Sequence, residues 1–357
     1  MRLRQILKTG FVVVGLSALA ACNTDELLDA KHLEPIPYAT LADMKSRGMA
    51  PEDPILLRIF KEESQLEVWK EKDDGTYGLM KTYDICKWSG KVGPKFKEGD
   101  RQAPEGFYTV TPAQMNPNSS YYLSFNMGFP NKFDRSHGRT GSHLMVHGAC
   151  SSRGCYAMTD EQIGEIYALA REAFKGGQKG FQIQAYPFRM TPENLARYAD
   201  NEHLDFWRML KRGHDHFELT KQVPKVDVCD RRYIFNAEAD GGNNFSASGK
   251  CPAYSVPERL AFAVEQKTAA DDRAFELAVQ SIADAAERDK RWKEREKKLA
   301  ALLGAKGPDA VDVPGSADAD TSTAVKSSEP PKPAPNPKRK ADGEAGGLLP
   351  SFSWFTD

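Results

Sequence analysis

Residues 141–162 of this 357-residue chain read GSHLMVHGACSSRGCYAMTDEQ and gather two histidines, two cysteines and three glycines in one short segment. The chemistry such residues can do is nucleophilic. A cysteine sulfur attacks a carbonyl carbon, and a histidine within hydrogen-bond reach takes the thiol proton and later gives it to the leaving group. Cys155 and His147, eight residues apart, are the candidate pair. Alternation along a strand puts His143, Met145 and His147 on one face, and Gly148 ends that strand. A tight loop then returns to Ser152-Arg153-Gly154-Cys155, where Cys155 is expected at a helix start. There the positive end of the macrodipole lowers a thiol pKa. Gly154 lets the backbone approach an incoming carbonyl, and nearby N–H groups can form an oxyanion hole. Two rival readings use the same residues. Cys150 and Cys155 can pair as a structural disulfide, or His143, His147, Cys150 and Cys155 can hold zinc, although their spacing matches no common zinc pattern. A thiol redox role is disfavoured by the lack of any C-x-x-C.

The elements that must position this segment are short strands. ILLRIFK (Ile55–Lys61), QLEVWKE (Gln65–Glu71), YGLMKTYDIC (Tyr77–Cys86), FYTVTP (Phe107–Pro112), YYLSFNM (Tyr121–Met127) and HLMVH (His143–His147) alternate or run apolar, with Gly, Pro and Asn in the gaps. Asp74-Gly75 marks a hairpin turn. After Thr159 and Asp160, which offer N-caps, Ile163, Ile166, Tyr167, Leu169, Ala170 and Phe174 recur at helical spacing until Gly176. FQIQAYPF (Phe181–Phe188) is a last strand, and residues 191–225 read as helical. An irregular lobe follows over 226–257, where Cys229 and Cys251 flank a Gly/Asn-rich loop that a disulfide would hold. From Ala269 to about Leu303 the composition is that of a long charged helix, and residues 304–357 read as a disordered Pro-, Ala-, Asp- and Ser-rich tail ending in SFSWFTD.

The N-terminus sets the compartment. Arg2, Arg4 and Lys8 precede an apolar run from Phe11 to Ala21 that is too short to span a bilayer comfortably, which is the pattern of a secretory signal peptide over residues 1–21. The closing LAAC resembles a bacterial lipobox, in which Cys22 is lipidated and becomes the mature N-terminus; ordinary cleavage with Cys22 as a bystander is the alternative. The lipobox reading implies a periplasmic protein anchored by acyl chains at the inner or the outer membrane. Lipidation of Cys22 leaves Cys86, Cys150, Cys155, Cys229 and Cys251, an odd number, so at least one thiol stays free or bonds outside the chain. With 49 Lys+Arg against 50 Asp+Glu, no basic face advertises nucleic acid.

The segment VHG…SSRGCYAM resembles the active site of the L,D-transpeptidase (YkuD-type) catalytic domain family, and ICKWSGKVGPKFKEGDRQAPEGFYTVTPAQMNPNSSYYLSFNMGFP resembles its YafK-like, murein L,D-transpeptidase-related branch. The resemblance covers roughly residues 54–188 and implies an α+β fold: a β-rich catalytic domain with a helix after the nucleophile, a helical C-terminal extension and the tail. The layout expected is a spacer over 22–53, the catalytic domain over 54–190, an extension over 191–268, the charged helix over 269–303 and the tail over 304–357.

Carried across, the resemblance makes Cys155 the nucleophile and His147 the proton donor and acceptor. The Gly148 carbonyl would orient the imidazole, and the Gly154 and Cys155 N–H groups would hold the oxyanion. It implies a peptidoglycan stem peptide as substrate, a thioester acyl-enzyme, and neither cofactor nor metal. Arg153 stands where the commoner pattern has histidine, and the loop from His147 to Cys155 is short. Arg139, then Arg153, are the candidates for gripping substrate carboxylates, and Ser152 for positioning the donor. Cys86 and Cys150 can each be buried and reduced, or can pair to brace the loop. Amine as acceptor gives a cross-link or a protein attachment, with a wall-attached lipoprotein as the protein partner. Water as acceptor makes the enzyme an amidase on the same pair. A lipid-anchored wall-binding module without turnover is the reading from another class.

Overall fold

The computed structural model describes residues 30–304. The signal peptide, Cys22 and the tail from residue 305, including SFSWFTD, lie outside the described residues. Helix α1 (Tyr38–Ser46) stands within the segment expected as a spacer, and Ile36, Met44 and Met49 are buried in the main core. That segment is packed, not a bare spacer. Its apolar residues are too few and too widely spaced for a periodicity to show.

Strands β1 (Ile55–Phe60), β2 (Gln65–Glu71), β3 (Tyr77–Asp84), β5 (Gly106–Val110) and β10 (Phe181–Tyr186) form a mixed sheet in the order β3-β2-β1-β10-β5, with β1 and β10 parallel. All six residues of β1 are buried because both faces of this sheet are covered. On one face Leu57, Ile59, Val68, Tyr108 and Ile183 join the main core; on the other Phe60, Phe107 and Tyr186 join a second core. Arg58 takes the second face as well, pairing with Glu218 at 2.7 Å.

A second five-stranded sheet carries the reactive segment. Its strands are β4 (Lys87–Trp88), β6 (Met115–Asn116), β7 (Ser124–Asn126), β8 (Met145–His147) and β9 (Tyr156–Ala157), in the order β4-β9-β8-β7-β6, with β8 and β9 parallel. A short helix, α2 (Lys132–Ser136), lies between β7 and β8 in the chain. Helix α3 (Asp160–Lys175) is capped by the Thr159 side chain, which accepts from the Gln162 N–H at 3.2 Å. Its Ile163, Ile166, Leu169, Ala170 and Ala173 pack into the same main core as Phe125, Val146 and Tyr156 of the second sheet. This apolar mass fixes the sheet that bears the site.

The second core is closed by α4 (Pro192–Ala196), α5 (Leu204–Thr220) and the hairpin β11 (Val226–Cys229)–β12 (Arg232–Phe235), through Leu195, Trp207, Met209, Leu210, Tyr233 and Phe235. Residues 226–257 are therefore more regular than expected. A second hairpin pairs β13 (Glu238–Ala239) with β14 (Tyr254–Ser255), and Cys229–Cys251 is a disulfide as the sequence suggested. The charged helix, α6 (Glu258–Gly304), begins at Glu258 and not at Ala269. Its first turns bury Val264 and tie to α5 through Lys211, which bridges Asp215 at 2.6 Å and also pairs with Asp271. The described residues up to Arg295 form one compact body, and residues 296–304, counted apart from it, are helical. The boundary expected at residue 190 falls inside that body, because the second face of the first sheet has nothing else to cover it. The architecture is α+β. No helix among the described residues is long and apolar enough to cross a membrane.

Candidate active site

Strand pairing builds the site as a floor. The register joins Lys87 to Ala157, Ala157 to His147, His147 to Ser124 and Ser124 to Asn116, one row across all five strands. Paired residues share a face. One residue before Tyr156, which pairs with Val146, Cys155 comes level with Met145. His147 lies two residues beyond Met145 and thus on the same side. Lys87, Asn116, Ser124, His143, Met145, His147 and Cys155 accordingly line one cleft of about 750 Å³, together with Ser119, Tyr121, Ser152 and Arg153.

His147 is 3% exposed. Its Nδ1 lies 2.7 Å from the Gly148 carbonyl oxygen. A carbonyl only accepts, so Nδ1 carries the proton and the Nε2 lone pair is the free one. Tyr121 packs over the ring with centroids 4.7 Å apart. Burial pushes the His147 pKa down, against the raising effect of the Gly148 carbonyl. Cys155 is the free cysteine among the described residues. Its sulfur lies 3.4 Å from the Met145 N–H and 3.6 Å from the His143 carbonyl oxygen. Burial pushes this thiol up, while the Met145 N–H and the Lys95 charge act the other way. Both shifts favour the neutral pair of thiol and imidazole.

This corrects the helix-start expectation. Strand β9 intervenes between Cys155 and α3, which begins only at Asp160, so no helix terminus lowers the thiol pKa. A strand of two residues is too short to show as a pattern.

The loop between His147 and Cys155 is closed at its base. Met158 N–H donates to His147 O at 2.7 Å and Cys150 N–H to Met158 O at 3.1 Å, while Ala149 N–H donates to Asp160 Oδ1 at 2.7 Å. Cys150 is bonded to Cys86, next to β4, so the loop is stapled to the edge strand of the same sheet. That pairing removes Cys150 both from a disulfide with Cys155 and from a zinc set. Among the described residues no group of three or more His, Cys, Asp or Glu stands ready for a metal. Gly148 admits no side chain, since a Cβ there would lie 2.5 Å from Asp160 Oδ1 and 2.9 Å from the Tyr121 carbonyl oxygen. Gly154 holds φ at +135°, which glycine alone adopts readily.

The remaining expected residues divide. Ser152 and Arg153 line the cleft, and Arg153 is exposed there. Ser152 ties the loop to Cys155: its Oγ accepts from Gly154 N–H at 3.3 Å and Cys155 N–H at 3.1 Å, and donates to Cys155 O at 2.7 Å. The two N–H groups expected at the oxyanion are thus engaged by Ser152. Arg139 does not line the cleft. It is buried in an ion pair with Asp134 at 2.9 Å, its guanidinium stacked over Phe133 and Phe206, and that pairing overturns its expected role on substrate. His143 faces the cleft but sits outside β8 with φ at +54°. Lys87, Asn116, Ser119, Tyr121 and Ser124 were missed as site residues, because their place depends on cross-strand register.

A family model for the YkuD L,D-transpeptidase catalytic domain matches residues 58–179, which include both Cys155 and His147. The Escherichia coli (strain K12) protein named "Putative L,D-transpeptidase YafK" is 46% identical over 181 residues, covering 51% of this chain and 73% of that protein. Its namesake in E. coli O157:H7 matches to the same extent. The helical cell shape determining protein Pgp2 from Campylobacter jejuni aligns at 18% identity with 56% of this chain and 82% of its own, with a TM-score of 0.31, and nothing rests on a likeness that low. On the domain match and the identity to the E. coli protein, the chain belongs to the YkuD-type L,D-transpeptidase family and to peptidoglycan chemistry.

Proposed function

We propose that the chain is a cysteine acyltransferase on peptidoglycan stem peptides, with Cys155 as nucleophile and His147 as proton carrier. The observation that carries this reading is a free thiol and a free imidazole Nε2 on the same face of one sheet, in one cleft. His147 Nε2 takes the thiol proton as Sγ bonds to the stem-peptide carbonyl carbon at the L-centre of its diamino acid. The C–N bond breaks, and the leaving amine departs with the proton from His147. A thioester remains on Cys155. An acceptor amine then attacks it, passes a proton to His147, and forms the new amide as the C–S bond breaks and the thiol regains its proton.

The neutral resting pair suits general-base attack, since His147 is unprotonated and ready. The carbonyl oxygen carries charge between these steps, and the Gly154 and Cys155 N–H groups can receive it once Ser152 Oγ releases them. Arg153, exposed in the cleft, is the guanidinium available to substrate carboxylates. Residues 54–190 are the proposed catalytic unit and 191–268 its extension. The signal peptide over 1–21, lipidation at Cys22 and periplasmic anchoring belong to the same proposal. So does the wall-attached lipoprotein as a partner.

Mass spectrometry of mature protein incubated with defined muropeptides tests it. One set carries a free tetrapeptide stem, the other a peptide joined through lysine to the diamino acid. Cross-linked dimers that fall about ten-thousandfold or more with Cys155→Ala are expected. Release of the joined peptide without new cross-links would make the enzyme an amidase. Equal behaviour of wild type and variant on both substrates would leave a binding module.

A further inference from the structure

On the proposed acyl transfer, we infer that Lys87 reads a free carboxylate on the leaving amino acid of the donor, and so sets which donors the cleft accepts. The cross-strand row carries the argument. Lys87 stands level with Ala157 on the neighbouring strand and with His147 on the strand after that. Strand spacing puts these positions about 5 Å and about 10 Å from Lys87. Trp88 packs inward against the main core and donates from Nε1 to Ser64 Oγ at 3.2 Å. Alternation then turns Lys87 and Ser89 outward, and Ser89 Oγ meets Ser152 Oγ at 3.0 Å in the loop before Cys155.

The residue between Lys87 and His147 is alanine, fully buried, with a single methyl group. Lys87 and His147 both line the cleft, and no side chain longer than a methyl stands between them in the row. His147 protonates the leaving amine, so the group attached to that amine lies in the cleft that Lys87 also lines. In a leaving amino acid the carboxylate lies one carbon from the amine and advances toward Lys87. Lys87 is exposed, lines the cleft and makes no ion pair among the described residues. Its edge strand is held in register by the bond from the adjacent Cys86 to Cys150. A leaving lysine side chain has no carboxylate beside its ε-amine and gains nothing from Lys87.

The test compares two donor stem peptides that differ only at the last residue, a free acid or its amide. Wild type is expected to favour the acid in kcat/KM by roughly fivefold, the scale of a partly solvated ion pair. Lys87→Gln should remove that preference, Lys87→Glu reverse it and Lys87→Arg keep it, each read as the acid-to-amide ratio of the same variant. Calorimetric binding of both donors to Cys155→Ala, with and without Lys87→Gln, reads the same preference without turnover. An acid preference in binding that Lys87→Gln abolishes, in an enzyme that turns over neither donor, would sink the acyl-transfer reading and leave this one standing. An acid-to-amide ratio that Lys87→Gln does not move, or no binding of either donor, overturns the inference.

Discussion

At the scale of single residues, the site rests as a neutral pair. Burial lowers the His147 pKa and raises that of Cys155, so between the two values neither group is charged. His147 accepts a proton only when unprotonated, so activity falls as pH drops through its lowered pKa. The acid limb of kcat/KM is expected below about 6.5, and the midpoint for alkylation of the Cys155 thiol above about 8.5. An acid limb above neutrality, or alkylation already complete at pH 7, would mean a preformed thiolate–imidazolium pair. Cys155, His147 and Gly154 were singled out by residue type and spacing and the role of Gly148 by the family resemblance, and the structure brings Cys155 and His147 into one cleft. Arg139 misled because Asp134, five residues before it, gives no sign in sequence of being fully buried and claiming the guanidinium. Lys87 was silent because its nearness to His147 arises only after two strand pairings.

At the scale of elements, helix α5 carries an acid-sensitive lock. His214 and His216 are both held down to about 4, mainly by burial, with Asp215 acting the other way on each and Glu218 on His214. The unfolded chain therefore binds more protons than the folded one between about pH 6.5 and 4. Stability is present above that window and is lost as pH falls through it, by at most roughly 3 kcal/mol for each histidine. A melting temperature that stays flat from pH 7 to 4.5, or that does not flatten in His214→Gln/His216→Gln, would contradict this. Long periodic elements such as α3 were readable from the sequence, and so were the long strands of the first sheet. The second sheet was hard to read, since β4, β6 and β9 have two residues each and owe their existence to neighbours. Helix α6 starts before the charged stretch, and its early turns bury Val264, which no local composition reveals.

At the scale of the whole molecule, the first sheet and the extension share a core. Phe60, Phe107 and Tyr186 are buried against Trp207, Met209, Tyr233 and Phe235, so a chain cut at residue 190 uncovers three large aromatics at about 1.5–3 kcal/mol each. Residues 30–190 alone are expected to aggregate or bind a hydrophobic dye, whereas a chain ending at residue 295 should melt cooperatively. A soluble, cooperatively melting 30–190 fragment would show that the extension is dispensable for folding. The two disulfides have a combinatorial consequence for anyone making the protein. Five cysteines follow Cys22, and leaving one out in five ways, with three pairings of the other four, gives fifteen fully oxidised isomers. Every one of them has the same mass and one free thiol. Only three leave that thiol on Cys155, and only one of these has the native bonds Cys86–Cys150 and Cys229–Cys251. A preparation with the correct mass and one titratable thiol can therefore be mostly silent enzyme, and mapping the alkylated residue to Cys155 is the informative purity assay.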